Sequence, residues 1–243
     1  MIDIHCHILP GVDDGAGNMS DALEMAELAA SSGIKSIIIT PHCNVPGAYH
    51  NYWNYFMNED VENLQREIRN HNINLTVYPG QEVYLAPGFA ELLKKGEFIG
   101  LNESRYMLVE FGMSERADVA YRKLQQVIAE GYVPIVAHPE RYGFVTEQQE
   151  AVYRMKDLGA LLQVNRGSIK GAFGKSAMKK ANEIISTFQA DFVASDAHSQ
   201  YSRTPYLADV HEFISEEIST EYGDWLFKVN PRKVISNEEI FSF

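Results

Sequence analysis

Cysteine is scarce in this chain: Cys6 and Cys43 are the only two among 243 residues. Two thiols build no disulfide framework and fit a reducing compartment. Positive charge is also in short supply. The 21 Lys and Arg face 33 Asp and Glu, a formal charge of -12, which excludes nucleic acid or an anionic membrane surface as a bulk partner. No apolar run reaches the length of a membrane span, so no direct membrane insertion is expected. The opening residues lack the basic n-region and apolar h-region of a signal peptide, which makes the expected location cytoplasmic. Repeats, low-complexity tracts and linker-like stretches are missing too, and residues 1–243 read as a single domain. An apolar share of 45% suffices for a sizeable core.

What is present begins at once, with "MIDIHCHILPGVDDG". Residues two apart on a strand share a face, so His5 and His7 point one way and Cys6 the other. Two adjacent imidazoles make a poor core and a good start to a metal site. Beyond this stretch the pattern alternates. Strands are expected at "IDIHCHI", "KSIIIT", "LTVYPG", "RYMLVEF", "VPIVAH", "LLQVN" and "DFVAS". Helices are expected over about Ser20–Ser32, Asn54–Asn70, Val119–Glu130, Gln148–Leu158, Ser176–Phe188 and Ala208–Tyr222, with glycines 33, 131 and 159 as stops. Short, apolar strands alternating with helices indicate βα units and a parallel sheet. Periodicity alone leaves open whether that sheet is a doubly wound layer or a closed barrel.

The carboxyl ends of the strands carry the chemistry. They deliver His5 and His7 followed by Asp13 and Asp14, then His42 of "TPH" and Glu82 of "GQE". Glu110 of "LVEF" follows, then His138, Glu140 and Arg141 of "AHPER", Asn165, and Asp196 with His198 of "SDAH". Active sites of parallel α/β folds form at this edge. Six of the seven expected strands end in a histidine or carboxylate. Without cations such acids would repel one another and protonate, so several bound divalent ions are the economical solution. His50, His71 and His211 lie elsewhere in the pattern and read as surface or packing residues.

In that order, "DIHCHILPGVDDG", "TPH", "GQE", "LVEF", "AHPER" and "SDAH" resemble the polymerase and histidinol phosphatase (PHP) superfamily. Within it, the chain is most similar to the bacterial tyrosine-protein phosphatases of the CpsB and YwqE type, over nearly its whole length. The resemblance implies an α/β fold, a distorted (β/α)7 TIM-like barrel, with a trinuclear metal site at the strand C-termini. Carried over residue by residue, it implies His5, His7, Asp14, His42, Glu82, Glu110, His138, Asp196 and His198 as ligands. The adjacent Asp13 stays open as an alternative to Asp14. Arg141 and Arg203 match the family's phosphate-binding arginines. The implied partner is a phosphotyrosine-bearing protein, the tail of an autophosphorylating bacterial tyrosine kinase that regulates capsule or exopolysaccharide synthesis.

The chemistry also reads from residue types. Mixed histidine and carboxylate donors suit Mn, Fe or Zn better than Ca or Mg, and Glu82 and Glu110 are candidates to bridge ions. Paired ions clamp the oxygens of an in-line phosphoryl displacement and generate hydroxide at neutral pH. A cysteine-dependent phosphatase needs a C-x5-R loop, but Val12 follows Cys6 at that spacing and Tyr49 follows Cys43. Histidinol phosphatase is the nearest alternative; a PHP-type exonuclease fits the acidic charge poorly. Amidohydrolases commonly carry a lysine on the fourth strand, where this chain has Glu110. A non-catalytic metal-binding module would show gaps in the donor set, and none is visible. Tyr49, Tyr52, Trp53, Tyr55 and Phe56 read equally as a cleft for an aromatic ring or as a staple for the helix that follows.

Overall fold

The computed structural model describes residues 1–241 and 243. All strand pairings among them are parallel. The strands are β1 (Ile2–Cys6), β2 (Ser36–Ile39), β3 (His42–Cys43), β4 (Thr76–Tyr78), β5 (Glu82–Tyr84), β6 (Tyr106–Glu110), β7 (Val133–Ala137), β8 (Leu161–Asn165) and β9 (Phe192–Ala194). They form one sheet in the order β1-β2-β4 and another in the order β3-β5-β6-β7-β8-β9.

The nine segments are seven staves. Thr40 and Pro41 separate β2 from β3, and Pro79, Gly80 and Gln81 separate β4 from β5. Proline has no N–H for the ladder and kinks the strand at that point. The path continues across each kink, with Thr40 N donating to Cys6 O and Glu82 N to Pro41 O. Gly80 is obligatory at the second kink, because a Cβ there would lie 2.9 Å from Ile38 Cγ2 and 3.0 Å from Ile39 O. The ring closes through a parallel bridge between Cys6 and Ala197, with Asp196 N donating to His5 O and His7 N to Ala197 O. A distorted (β/α)7 barrel results, as expected.

Alternation along the staves sorts the core into two layers. Ile38, Leu108, Ile135, Phe192 and Ala194 fill the barrel with Ile4, while Ile37, Ile39, Val109, Val136, Leu162 and Val193 face the surrounding helices. Strands buried on both faces are continuously apolar for this reason, and each such side chain removed from water contributes about 1.5–3 kcal/mol. Two residues beyond the interior set, the same faces carry Glu110 after Leu108 and Asp196 after Ala194. The donors therefore sit as a polar layer on an apolar plug. In β1 the register slips between Asp3 and Cys6. This bulge lets Ile4 join the plug while its neighbour His5 joins the donors.

Helix boundaries follow the expected periodicity with two differences. The helix expected from Gln148 begins at Ala151, after a short one at Gly143–Glu147. The helix expected over Ala208–Tyr222 stops at Glu217, and a new one starts at Thr220 because the Ser219 side chain accepts from Tyr222 N. Among the described residues, no helix is long and apolar enough to cross a membrane.

Candidate metal centre

His5 and His7 place their Nε2 atoms 3.2 Å apart. Around this pair, Glu82 Oε2 lies 3.3 Å from His5 Nε2 and 3.4 Å from His7 Nε2, and Asp196 Oδ1 lies at the same two distances. Such spacing is that of neighbouring donors around one ion bound at about 2.0–2.2 Å. Both rings are turned by partners at their other nitrogen. His5 Nδ1 donates to Gln163 Oε1 at 2.7 Å, and His7 Nδ1 to Asp13 Oδ2 at 2.7 Å. Each bond leaves the Nε2 lone pair free for coordination.

The donors extend on both sides. His42 Nδ1 lies 2.9 Å from Glu82 Oε2 and 3.2 Å from Glu110 Oε1, and His138 Nε2 lies 2.9 Å from Glu82 Oε1 and 3.8 Å from Glu110 Oε2. On the other flank Asp14 Oδ1 stands 3.6 Å from His42 Nε2 and 3.5 Å from His198 Nε2. Among the described residues, three overlapping groups of metal-type donors emerge: His5–His7–Asp196, His42–Glu82–Glu110 and His7–Asp14–His42–His198. His42 Nδ1, Glu82 Oε2 and His198 Nε2 are buried without hydrogen-bond geometry despite these short contacts. Buried polar atoms are ordinarily satisfied, so atoms converging without bonding one another fit coordination to cations.

Charge balance gives the same picture. Burial alone would raise the Glu82 and Asp196 carboxyls, yet His5, His42 and His138 around Glu82, and His5, His7 and Arg203 around Asp196, hold both well below the usual carboxylate range. Burial would lower His42, but Glu82 and Glu110 push it up to about 10. His198 moves the opposite way, lowered by burial and by the neighbouring His7. In the metal-free chain, protons stand in for some of the cationic charge that the acids require.

The loop after β1 separates the two aspartates by role. Asp13 is consumed by the scaffold: Oδ2 accepts from His7 Nδ1 and from His42 N, and Oδ1 from Gly15 N. Asp14, with its side chain 51% exposed, faces His42 and His198 instead. Gly15 is needed for this turn, since a Cβ would lie 2.0 Å from His7 O. At the far ends of the staves His138 (φ 37) and Asp196 (φ 50) adopt left-handed backbone, as does Arg203 (φ 50). Such conformations cost about 1–3 kcal/mol for a residue with a side chain and cluster at functional sites.

Arg141 and Arg203 reach the same carboxylate from different loops. Arg141 Nη1 lies 3.5 Å from Asp196 Oδ2, and Arg203 Nη2 lies 2.7 Å from Asp196 Oδ1. Two residues of β8 complete the frame: Asn165, expected at the strand end, and Gln163, which the sequence did not single out. Gln163 Nε2 donates to Asn165 Oδ1 and Asn165 Nδ2 to Asp196 Oδ2, so His5, Gln163, Asn165 and Asp196 form a closed circuit. Their period-two spacing on a stave was the available signal. Glu140 turns away to accept from Asn165 N. The aromatic stretch divides: Tyr49 stacks on His42, with centroids 5.8 Å apart and planes 8° apart, and Tyr52 and Trp53 pack on the core. Tyr55 and Phe56 stay 69% and 72% exposed. His50, His71 and His211 join none of the donor groups. A groove of about 780 Å³ bounded by Met113, Glu115, Phe144 and Gln148 holds none of the donors either.

Comparison with known proteins agrees with this architecture. YwqE, a tyrosine-protein phosphatase of Bacillus subtilis, is 34% identical over 241 residues, covering 99% of this chain and 94% of its own. A crystal structure from work on YwqE and on CpsB of Streptococcus pneumoniae, described as metal-dependent tyrosine phosphatases, superposes with a TM-score of 0.92 at 34% identity. It covers 100% of this chain and 97% of the other. A histidinol phosphate phosphatase of Lactococcus lactis shares the fold alone, with a TM-score of 0.56 at 13% identity over 91% of this chain and 93% of the other. The family described as "Capsular polysaccharide synthesis, CpsB/CapC" matches residues 1–236. The chain belongs to the CpsB/CapC family.

Proposed function

We propose that this chain is a metal-dependent protein-tyrosine phosphatase. The observation that carries the reading is the meeting of two arginines on Asp196, beside donors of which His42 Nδ1, Glu82 Oε2 and His198 Nε2 are buried and unbonded. Kinship with YwqE supplies the substrate class. Our reading takes His5, His7, Asp14, His42, Glu82, Glu110, His138, Asp196 and His198 as ligands of three divalent ions, with manganese first and iron or zinc as alternatives. When bound, such ions lower the pKa of a coordinated water and neutralise phosphoryl oxygens.

The chain's own residues do the rest. Gln163 and Asp13 hold His5 and His7 with Nε2 aimed inward. Arg141 and Arg203 offer several N–H donors to phosphate oxygens and stabilise charge that develops there. They are drawn to Asp196 until an anion of higher charge arrives. Tyr49, stacked on His42 beside Asp14, gives a flat wall for an aromatic leaving group. A phenolate leaves with a pKa of about 10, so a strong general acid is not required. The phosphoprotein we favour is an autophosphorylated bacterial tyrosine kinase of capsule or exopolysaccharide synthesis, in keeping with the family description. Buried free cysteines 6 and 43 support a cytoplasmic setting.

The test separates the arginines from the ligands. A guanidinium offers no lone pair for coordination, so Arg141→Ala and Arg203→Ala should keep their metal and lose roughly 10²-fold or more in rate. His138→Ala should lose metal. An arginine variant without metal beside a fully loaded His138→Ala contradicts the assignment, as do near-normal rates in both arginine variants.

A further inference from the structure

The two arginines share a second partner besides Asp196, and it carries no charge. Both guanidinium groups lie over Phe173: Arg141 Cζ stands 4.3 Å from the centre of its ring, and Arg203 Cζ 5.8 Å. Phe173 belongs to neither arginine's loop. It follows the helix Arg166–Ile169 that leaves β8, whereas Arg141 comes from the turn after β7 and Arg203 from the loop after β9. Three separate loops therefore converge on one ring.

The ring is built into its place. A Cβ on Gly167 would lie 2.7 Å from Phe173 Cε2, so glycine provides the floor on which the ring rests. The short loop is braced by Ala172 N donating to Gly167 O at 2.8 Å and Gly174 N to Gly171 O at 3.1 Å. Gly171 and Gly174 on either side of the ring have φ of +81° and +90°, values that side chains rarely adopt. A partly buried phenylalanine so fixed does not need arginines to be stable. The arginines, long side chains with substantial rotamer freedom, do need a surface if they are to stay in place between turnovers. Asp196 alone would hold them by charge and would compete with an incoming phosphate for the same N–H groups. An aromatic face attracts a guanidinium over its plane and leaves the edge donors for an anion.

We propose that Phe173 is the positioning residue of the phosphate clamp: its ring is the common seat that preorganises Arg141 and Arg203. This rests on the reading that the two arginines bind phosphate. Preorganisation raises affinity by reducing the ordering that binding must otherwise accomplish. Removing the π-face while keeping apolar bulk should therefore weaken anion binding without touching the metals.

The experiment uses the full metal-loaded chain and inorganic phosphate as the probe, read as its competitive inhibition constant against a phosphotyrosine peptide. Phe173→Leu and Phe173→Met should each weaken phosphate roughly tenfold, the size expected for loss of guanidinium–ring attraction. Phe173→Tyr should bind phosphate about as well as the parent. Metal content and melting temperature should match the parent in all three. With both arginines already alanine, Phe173→Leu should have almost no further effect. Unchanged phosphate affinity in Phe173→Leu and Phe173→Met, beside weakened arginine variants, overturns the proposal and leaves the clamp reading standing. A full effect of Phe173→Leu without the arginines, or loss of metal from both the leucine and methionine variants, overturns it too. Normal phosphate affinity in the arginine variants themselves sinks the clamp reading, and the inference with it.

Discussion

His5 Nδ1 donates to Gln163 Oε1 at 2.7 Å, a bond across the barrel that decides which nitrogen of His5 faces the donors. Asp13 does the same for His7. Partners of this kind typically alter metal affinity or activity by about 10–100-fold when removed. Gln163→Leu and Asp13→Ala are accordingly expected to weaken metal binding by that order while the barrel stays folded. Titration of chelator-stripped protein with manganese, followed by elemental analysis, reads the change. Parent-like affinity in both variants would show that the rings are held by packing alone.

The donor cluster around His42 and Glu82 predicts a pH dependence. Without metal, burial works to lower His42, but the neighbouring carboxylates of Glu82 and Glu110 raise it from 6.5 to about 10. A raised folded-state value gives stability that is complete below the unfolded pKa and lost as pH climbs through the folded one. Glu82 and Asp196, held low, contribute above their ordinary values and lose that contribution on acidification. Metal-free protein should therefore melt highest near about pH 5–6.5 and progressively lower toward about pH 10. Bound ions displace these protons, so metal affinity should rise with pH, and the gap between loaded and stripped melting temperatures should widen. Melting curves of both forms near about pH 6, 8 and 10 check this. A gap that narrows with rising pH is the contrary result.

Neither thiol is expected to serve as a nucleophile. Burial, with Asp3 and Asp196 nearby, pushes the Cys6 thiol far up, and burial with Glu97 raises Cys43. A nucleophilic cysteine requires a lowered pKa. Cys6→Ala/Cys43→Ala should keep kcat within about threefold of the parent. Phosphate trapped covalently on either sulfur in rapid-quench mass spectrometry would contradict this.

The strand-end pattern was legible because period-two alternation links interior residues to donors two positions on, as in Leu108 and Glu110 or Ala194 and Asp196. Barrel closure was not legible from periodicity, because it depends on the Cys6–Ala197 bridge between residues at opposite ends of the chain. Division of two staves at Pro41 and Pro79–Gly80 was readable in principle, since proline interrupts a ladder. The separate parts of Asp13 and Asp14 were not, because the turn enforced by Gly15 at His7 O decides them. Phe173 carries no motif at all; three loops have to meet before its ring acquires a meaning.

Hydrolysis of a phosphotyrosine peptide and of histidinol phosphate, each with added manganese and after chelation, is the decisive measurement of metal dependence and substrate class. The stripped chain is expected to be inactive, and manganese to restore it. The aryl ester should be hydrolysed with a kcat/KM at least about a hundredfold higher, since a phenolate leaves unaided and an alkoxide does not. Full activity after complete metal removal, or a preference for histidinol phosphate, would contradict this reading.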